Sequence, residues 1–345
     1  MRNYIYPVIA SGLLSGCFMG GSNIKDVSTF ERQPMVKSSI MPTKAQLSGA
    51  RTRVIVLGID DSGASVAKNA KLGAAVGNKI ENLLADTGVE VVDRKLANKL
   101  QKEIQLAELK GRHDYKGPEV ADFSVSGKIV TANFTKAYSA ASSWVDDKGK
   151  THYTPPKCKY SVSIEATLKV HALPSLNLVD TITITDTEAK SQDLSGHGYN
   201  RYNHNRQCPP YNKAQLDSLV TAAGADAVYE SKVQLKNNFA PRGYITEYRT
   251  YDGKNIFKIT MGKTAGIKED QEVDIIQMFK NEDQLTGETN IEERKLAAGS
   301  VSNIVGQKYA WIVIDDPKKA KRVRLGDTVK IRFEDSMLDQ VKKLF

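Results

Sequence analysis

Between Arg53 and Leu109 the apolar positions change period three times. Val54-Ile55-Val56-Leu57-Gly58-Ile59 is a short β-branched run closed by Asp60-Asp61-Ser62-Gly63, the pattern of a buried strand ending in a turn. Leu72, Val76, Ile80, Leu83 and Leu84 then recur at spacings of three and four, which places one apolar stripe on a helix that Gly88 ends. Val89-Glu90-Val91-Val92 reads as a second strand. Asp93 stands at an N-cap position, and Leu96, Leu100, Ile104 and Ala107 draw a second helical stripe up to the breaker Gly111. A helix between two short apolar strands predicts a right-handed crossover and adjacent parallel strands.

Beyond Gly111 the period becomes two. Phe123 to Val130 alternates, and Tyr160, Val162, Ile164, Ala166, Leu168 and Val170 alternate strictly with polar residues. Leu178 to Asp186 sets Ile182 and Ile184 against Thr181, Thr183 and Thr185. Three antiparallel strands, each with one wet face, should therefore extend the sheet begun by Val54 and Val89. Leu216, Leu219, Val220 and Ala223, carried on by Ala227 to Leu235, predict a further helix on the same sheet face. Two polar inserts interrupt the strands. Thr135 to Lys157 holds Trp144, a turn at Asp146-Asp147-Lys148-Gly149 and Pro155-Pro156; Thr187 to Pro210 is rich in Asn, Gly, His and Tyr.

Near Pro241 the texture changes again. Tyr244–Tyr248, Ile256–Thr260, Glu272–Met278, Gly299–Val305, Tyr309–Ile314 and Asp327–Phe333 are short strand-like runs punctuated by Gly and charged turns, with no convincing helix among them. They read as a small β-barrel or sandwich. The fold class is thus a mixed sheet flanked by helices, α+β or α/β, followed by an all-β, barrel-like unit. The expected division is 51–240 for the α/β domain, 241–335 for the β-domain and 336–345 for a tail, in which Met337, Leu338 and Val341 would face inward on a short helix.

The N-terminus carries the most specific motif. Arg2 is a positive n-region, Tyr4 to Leu14 a short apolar segment, and Leu14-Ser15-Gly16-Cys17 has the order of a bacterial lipoprotein cleavage site. Residues 1–16 are read as a signal peptide and Cys17 as the lipidated residue; the apolar run is too short for a permanent membrane helix. Phe18 follows the cysteine where inner-membrane retention usually has Asp, which favours an outer-membrane anchor on the periplasmic face. Residues 17–50, with Gly, Ser, Lys, Pro and Thr and little periodicity, read as a tether that lets the folded part stand off from the membrane. The three cysteines are Cys17, Cys158 and Cys208, so in an oxidising compartment the last two predict a disulfide joining the two inserts.

The formal net charge is +9, including Arg2. Nucleic acid is not expected as a partner in the periplasm; lipid headgroups or peptidoglycan carboxylates are the anionic neighbours there, and a solvated surface explains the charge equally well. Lys318, Lys319, Lys321, Arg322 and Arg324 form a basic cluster, a candidate contact for a partner or for headgroups.

No chemistry stands out. Asp60 and Asp61 point opposite ways on a strand end and read as a helix-capping turn rather than an acid pair. His197, His204 and Cys208 could ligate zinc, yet Cys208 has a better use in the disulfide and a third and fourth ligand are not obvious. Gly73 and Gly77 make a small helix face suited to close packing. Gly58 to Gly63 lacks the spacing of a dinucleotide or phosphate loop, and no catalytic triad has sequence support. No enzyme, metal or cofactor is expected.

The order Val54-Ile-Val-Leu-Gly-Ile-Asp-Asp-Ser-Gly63, helix, Val-Glu-Val-Val-Asp-Arg94, helix, Val-Ser-Gly-Lys-Ile-Val130 resembles the α/β domain of the curli-export lipoprotein family (CsgG-like). It is similar as well to a penicillin-binding-protein activator lipoprotein and to the middle of a flagellar ring protein (FlgT). Gly-Tyr-Ile-Thr-Glu247, Met-Gly-Lys-Thr-Ala-Gly-Ile-Lys-Glu-Asp270, Gly-Ser-Val-Ser-Asn-Ile-Val305 and Leu-Gly-Asp-Thr-Val-Lys-Ile-Arg332 resemble the β-domain that ends the ring protein. The resemblance implies a structural component of an envelope-spanning machine, a secretion apparatus or flagellar basal body. Its partners would be other envelope-complex proteins and copies of itself in a ring. Activation of a peptidoglycan synthase is the second reading. A curli-type pore is the third, and the polar inserts disfavour it, because a membrane strand needs about nine to eleven residues with an apolar lipid face.

Overall fold

A computed structural model describes residues 23–47, 51–92, 121–173, 176–282, 285, 289–336 and 339. The helix expected over Leu96 to Ala107 lies outside them, as do Cys17, Met337, Leu338 and Val341.

The strands in chain order are β1 (Glu31–Arg32), β2 (Arg53–Asp60), β3 (Glu90–Val91), β4 (Phe123–Ser139), β5 (Ser142–Val145), β6 (Thr151–Thr154), β7 (Lys157–Ala172), β8 (Leu178–Asp193), β9 (Arg242–Tyr251), β10 (Lys254–Ile259), β11 (Glu272–Glu282), β12 (Thr289–Val305), β13 (Ala310–Val313) and β14 (Thr328–Ile331). The first sheet has the order β3-β2-β4-β7-β8. β2 is parallel to both β3 and β4, while β4–β7 and β7–β8 are antiparallel. The mixed sheet predicted from the two periods is therefore present.

The strands after Phe123 run longer than their apolar patterns suggested. β4 has 17 residues and β7 and β8 have 16 each, so parts of both expected inserts are ladder. β7 is the spine. Every second residue from Cys158 to Val170 is buried, on one face and along its whole length. The helices Leu72–Ala85 and Lys213–Glu230 cover that face. They approach closely because Gly224 lies against Leu72 and Val76, and because a Cβ on Gly73 would collide with the Ile59 carbonyl oxygen.

The second sheet holds all six strands expected after Pro241. Its order is β1-β9-β10-β13-β12-β11-β14, and β14 pairs back to β9, so six strands form a hydrogen-bonded ring. Phe257, Ile259, Val273, Ile275, Ile312 and Val329 are among the residues that fill it. A one-turn helix, Pro317–Ala320, interrupts the expected all-β run. Gly88, at φ +86°, takes the left-handed turn that ends its helix and lies against Ala265 of the barrel, where a Cβ would stand 2.6 Å from the carbonyl oxygen. Arg51 Nε donates to Thr264 O at 2.8 Å, and Asn237 exchanges two 2.9 Å hydrogen bonds with the Phe333 backbone, tying sheet to barrel.

The expected tether is corrected by the structure: residues 24–38 lie on the barrel. Ile24 and Phe30 are 2% and 7% exposed, packed with Ile256, Trp311 and Val313 on the outer barrel wall. β1 pairs antiparallel with β9, and Asn303 clasps both backbone groups of Ile24, at 2.8 and 3.2 Å. Arg249 donates to Val27 O at 3.2 Å, and Ser38 N to Leu325 O at 2.9 Å. The physical reason is that Ile256 of β10 and Trp311 and Val313 of β13 point to the outside of the barrel, so this part of the outer face needs cover.

Burying a phenylalanine of this kind stabilises by about 2–3 kcal/mol. Phe30→Ala should therefore loosen the arm by about that amount, read as faster amide exchange at Arg32 and Gln33 with exchange in β7 unchanged. Unaltered arm exchange would contradict this packing.

Candidate functional site

The far end of the β4–β7–β8 ladder is where sequence-predicted residues and new ones converge. Cys158 and Cys208 form the predicted disulfide, with Cα atoms 5.5 Å apart. Cys158 belongs to β7 itself, so the bridge fastens the second insert onto the strand instead of joining two loops. Leu194 and Cys208 of that insert are buried in the main core. Beside the bridge, Tyr160 stacks on Tyr211 at 4.2 Å, Tyr211 on Phe134 at 5.8 Å, and the Tyr160 hydroxyl donates to Pro209 O at 3.1 Å. Burial pushes the Tyr160 phenol above its ordinary pKa, which keeps it a neutral donor. Asn203, on the short helix Asn200–Asn205, donates to Leu194 O at 2.9 Å, and Gln192 donates to the Tyr199 hydroxyl at 2.8 Å.

From this stapled end projects the hairpin β5–β6. Its turn is the predicted Asp146-Asp147-Lys148-Gly149. Asp146 accepts from Lys148 N at 3.0 Å and Lys150 N at 2.8 Å, and its other oxygen lies 2.9 Å from His152 Nε2. The His152 hydrogen bond, followed by the Lys150 amide, holds the Asp146 carboxyl below its ordinary range. Trp144 stacks on His152 at 4.4 Å, on the opposite hairpin face from Tyr153. Trp144, Val145 and Tyr153 are nonetheless 58%, 62% and 67% exposed. Apolar area offered on a rigid support is the form of a contact surface.

Other predicted residues resolve differently. Asp61 accepts from Gly73 N at 3.0 Å, in the first turn of the helix, while Asp60 accepts from Ser62 N at 3.0 Å and closes its own turn. Cys208 is oxidised to the disulfide and offers no thiolate to His197 and His204. In the basic cluster, Asp316 caps the one-turn helix through Lys318 N and Lys319 N, and Lys318, Lys319, Lys321 and Arg322 are exposed. Arg324 is engaged: its Nε donates at 3.0 Å to Asp327, a fully buried carboxylate that also accepts from Gln277 at 2.8 Å. Arg324 therefore holds the barrel wall, a structural use that corrects its place among the candidate contacts.

Sequence reasoning missed the stack Phe134–Tyr160–Tyr211 and an acidic trio, Asp186, Glu188 and Asp226, whose oxygens lie within 4.8 Å of one another. The alternation of β7 begins at Cys158, two residues before the expected start, and that was the available signal for the stack. The trio joins β8 to a helix distant in sequence and had none. Desolvation raises the Asp186 pKa, and the charges of Asp226, Glu188 and Glu230 add to it, against a lowering hydrogen bond from Thr187. Its Oδ2 is buried and has no hydrogen-bond partner among the described residues.

Comparisons with known proteins add no family. No family model matches the chain, and no curated protein matches it in sequence. Among solved structures, a PelC dodecamer from Paraburkholderia phytofirmans shares 11% identity over 58% of this chain and 95% of its own, with a TM-score of 0.22. A putative neuraminyllactose-binding hemagglutinin homolog from Helicobacter pylori shares 7% over 59% of this chain and 89% of its own, with a TM-score of 0.32. The lipoprotein GNA1162 from Neisseria meningitidis shares 9% over 52% and 99%, with a TM-score of 0.24. Likeness at this level carries no assignment of function.

Two outcomes follow from the geometry. The disulfide closes a sequence separation of 50 residues, so Cys158→Ser with Cys208→Ser should cost up to about 4 kcal/mol of stability. Denaturant melts of the variant, and of the parent with and without reductant, check this; coincident curves would refute it. Because the folded pKa of Asp186 is raised, the native state loses stability as pH climbs from the ordinary carboxylate range through the raised value. Asp186→Asn should therefore melt higher at neutral pH, by about 1 kcal/mol, and the gain should vanish in acid. A gain that persists below the carboxylate range would contradict the electrostatic origin.

Proposed function

We propose that this chain is an outer-membrane lipoprotein facing the periplasm, a non-enzymatic structural component of an envelope-spanning assembly. Cys17 is its lipid anchor. Its own copies and other envelope proteins are its partners. The lipobox supports the anchor, and the resemblance of residues 50–236 to the curli-export family supports the assembly role. The observation that carries the reading is the β5–β6 hairpin: exposed Trp144, Val145 and Tyr153, borne by a ladder that a disulfide and an aromatic stack make stiff.

The same hairpin argues against a pore. Its strands have four residues each, under half of the nine to eleven that cross a bilayer. Assembly on aromatic anchors is the physically economical use of such a tip, because large rigid rings gain contact area at low entropic cost.

The test is a Trp144→Ser, Tyr153→Ser double variant. Surface changes of this kind should move stability by no more than about 0.5 kcal/mol. Loss of two anchors should nevertheless weaken assembly by about tenfold or more, equivalent to about 1.4 kcal/mol. Sedimentation of detergent-extracted protein, with identification of co-extracted envelope proteins, reads both. A wild-type protein that stays monomeric and alone at every concentration would refute the proposal.

A further inference from the structure

The docked arm changes what the lipid anchor does. Cys17 and Ile24 are seven residues apart in the sequence. A chain extends by at most about 3.3–3.6 Å per residue, so Ile24 stands within about 25 Å of the anchored cysteine. Ile24 is in turn fixed to the barrel: its backbone is clasped by Asn303, its side chain is buried beside Trp311, and β1 continues on β9.

We infer that the arm is a height-setting clamp, which holds the outer barrel wall formed by β10 and β13 close to the phospholipid bilayer and leaves the β5–β6 tip at the remote end of the molecule. This rests on the proposed lipidation of Cys17. The direction follows from the ladder. Phe123, the first residue of β4, packs edge-on against Phe239 at 5.8 Å, where the chain enters the barrel. Ser139 closes the same 17-residue strand, about 50 Å away at the usual rise. The membrane-held unit and the aromatic tip are therefore opposite ends of one rigid strand. The tip is presented away from the barrel that the anchor restrains, toward a proteinaceous partner. A free tether of residues 17–50 would hold neither end at a defined height.

The experiment uses the full chain, lipidated in cells, purified and reconstituted in phospholipid vesicles. Cys158 and Cys208 are bonded to each other and Cys17 is acylated, so Lys308→Cys, on the exposed turn between β12 and β13, provides one labelling site. Energy transfer from a donor there to acceptor headgroups reports barrel height. Two variants lengthen the tether by different means: Ile24→Asp with Phe30→Asp releases the arm, and about twenty Gly/Ser residues inserted between Ser22 and Asn23 lengthen the linker with the arm still docked. Because end-to-end distance grows with the square root of length, each should roughly double the mean gap and lower transfer at least about twofold.

Equal transfer in parent and spacer variant would overturn the clamp while leaving the lipoprotein reading intact. An intact-mass measurement without acylation at Cys17 would overturn both. High transfer in the parent that falls in both variants supports the clamp, and a fall in the spacer variant alone would overturn the role of Ile24 and Phe30.

Discussion

The constraint on which the α/β half depends is the register of β7. Each of its core-facing residues, from Cys158 through Tyr160 and Leu168 to Val170, is buried between two antiparallel ladders. A slip of one residue would turn the whole set to solvent and carry Cys158 away from Cys208. The helices Leu72–Ala85 and Lys213–Glu230 seat on the middle of that face, and the insert bearing Tyr199, Cys208 and Tyr211 seats on its far end. The exposed hairpin is then held by the ends of β4 and β7, so its direction is set by the same register.

The barrel follows a different logic. Pairing of β14 with the start of β9 closes six strands into a ring, and β1 covers the rest of β9, an edge that would otherwise invite pairing with other chains. The outer wall at Ile256, Trp311 and Val313 remains apolar, and the arm from Ile24 to Phe30 covers it. One element thereby solves a burial problem and links the N-terminus to the β-domain. Under the proposed anchoring at Cys17, the two halves would have separate mechanical duties, the barrel fixing position and the ladder giving reach.

Much of this was legible. The change of period at Phe123 marks the passage from parallel to antiparallel strands within the first sheet, and all six strands expected after Pro241 lie in the second. The disulfide followed from cysteine count. The lengths of β4 and β8 were not legible, because residues such as Thr135, Lys136, Ser191 and Gln192 have polar faces on both sides of the pleat and no apolar period to count. The arm has no periodic signature, because Gly, Ser, Lys and Pro between Met19 and Ala50 dilute its apolar contacts, Ile24, Val27, Phe30 and Met35. The signal lay in its receptor: Ala310-Trp311-Ile312-Val313-Ile314 is a continuous apolar run, which a strand with one wet face does not have. Contact residues with no periodic signature, such as Asp186 with Asp226, arise only from tertiary packing.

In the proposed role, a stapled ladder presents an aromatic hairpin to other proteins. Photo-crosslinking in the native envelope measures it most directly, with the photoreactive residue placed at Trp144 and, as a control, at Lys128 on the solvent-facing side of β4. Discrete crosslinked products are expected from position 144, either with a second copy or with another envelope protein, and few from position 128. Products of equal yield from both positions, or none from 144, would contradict it.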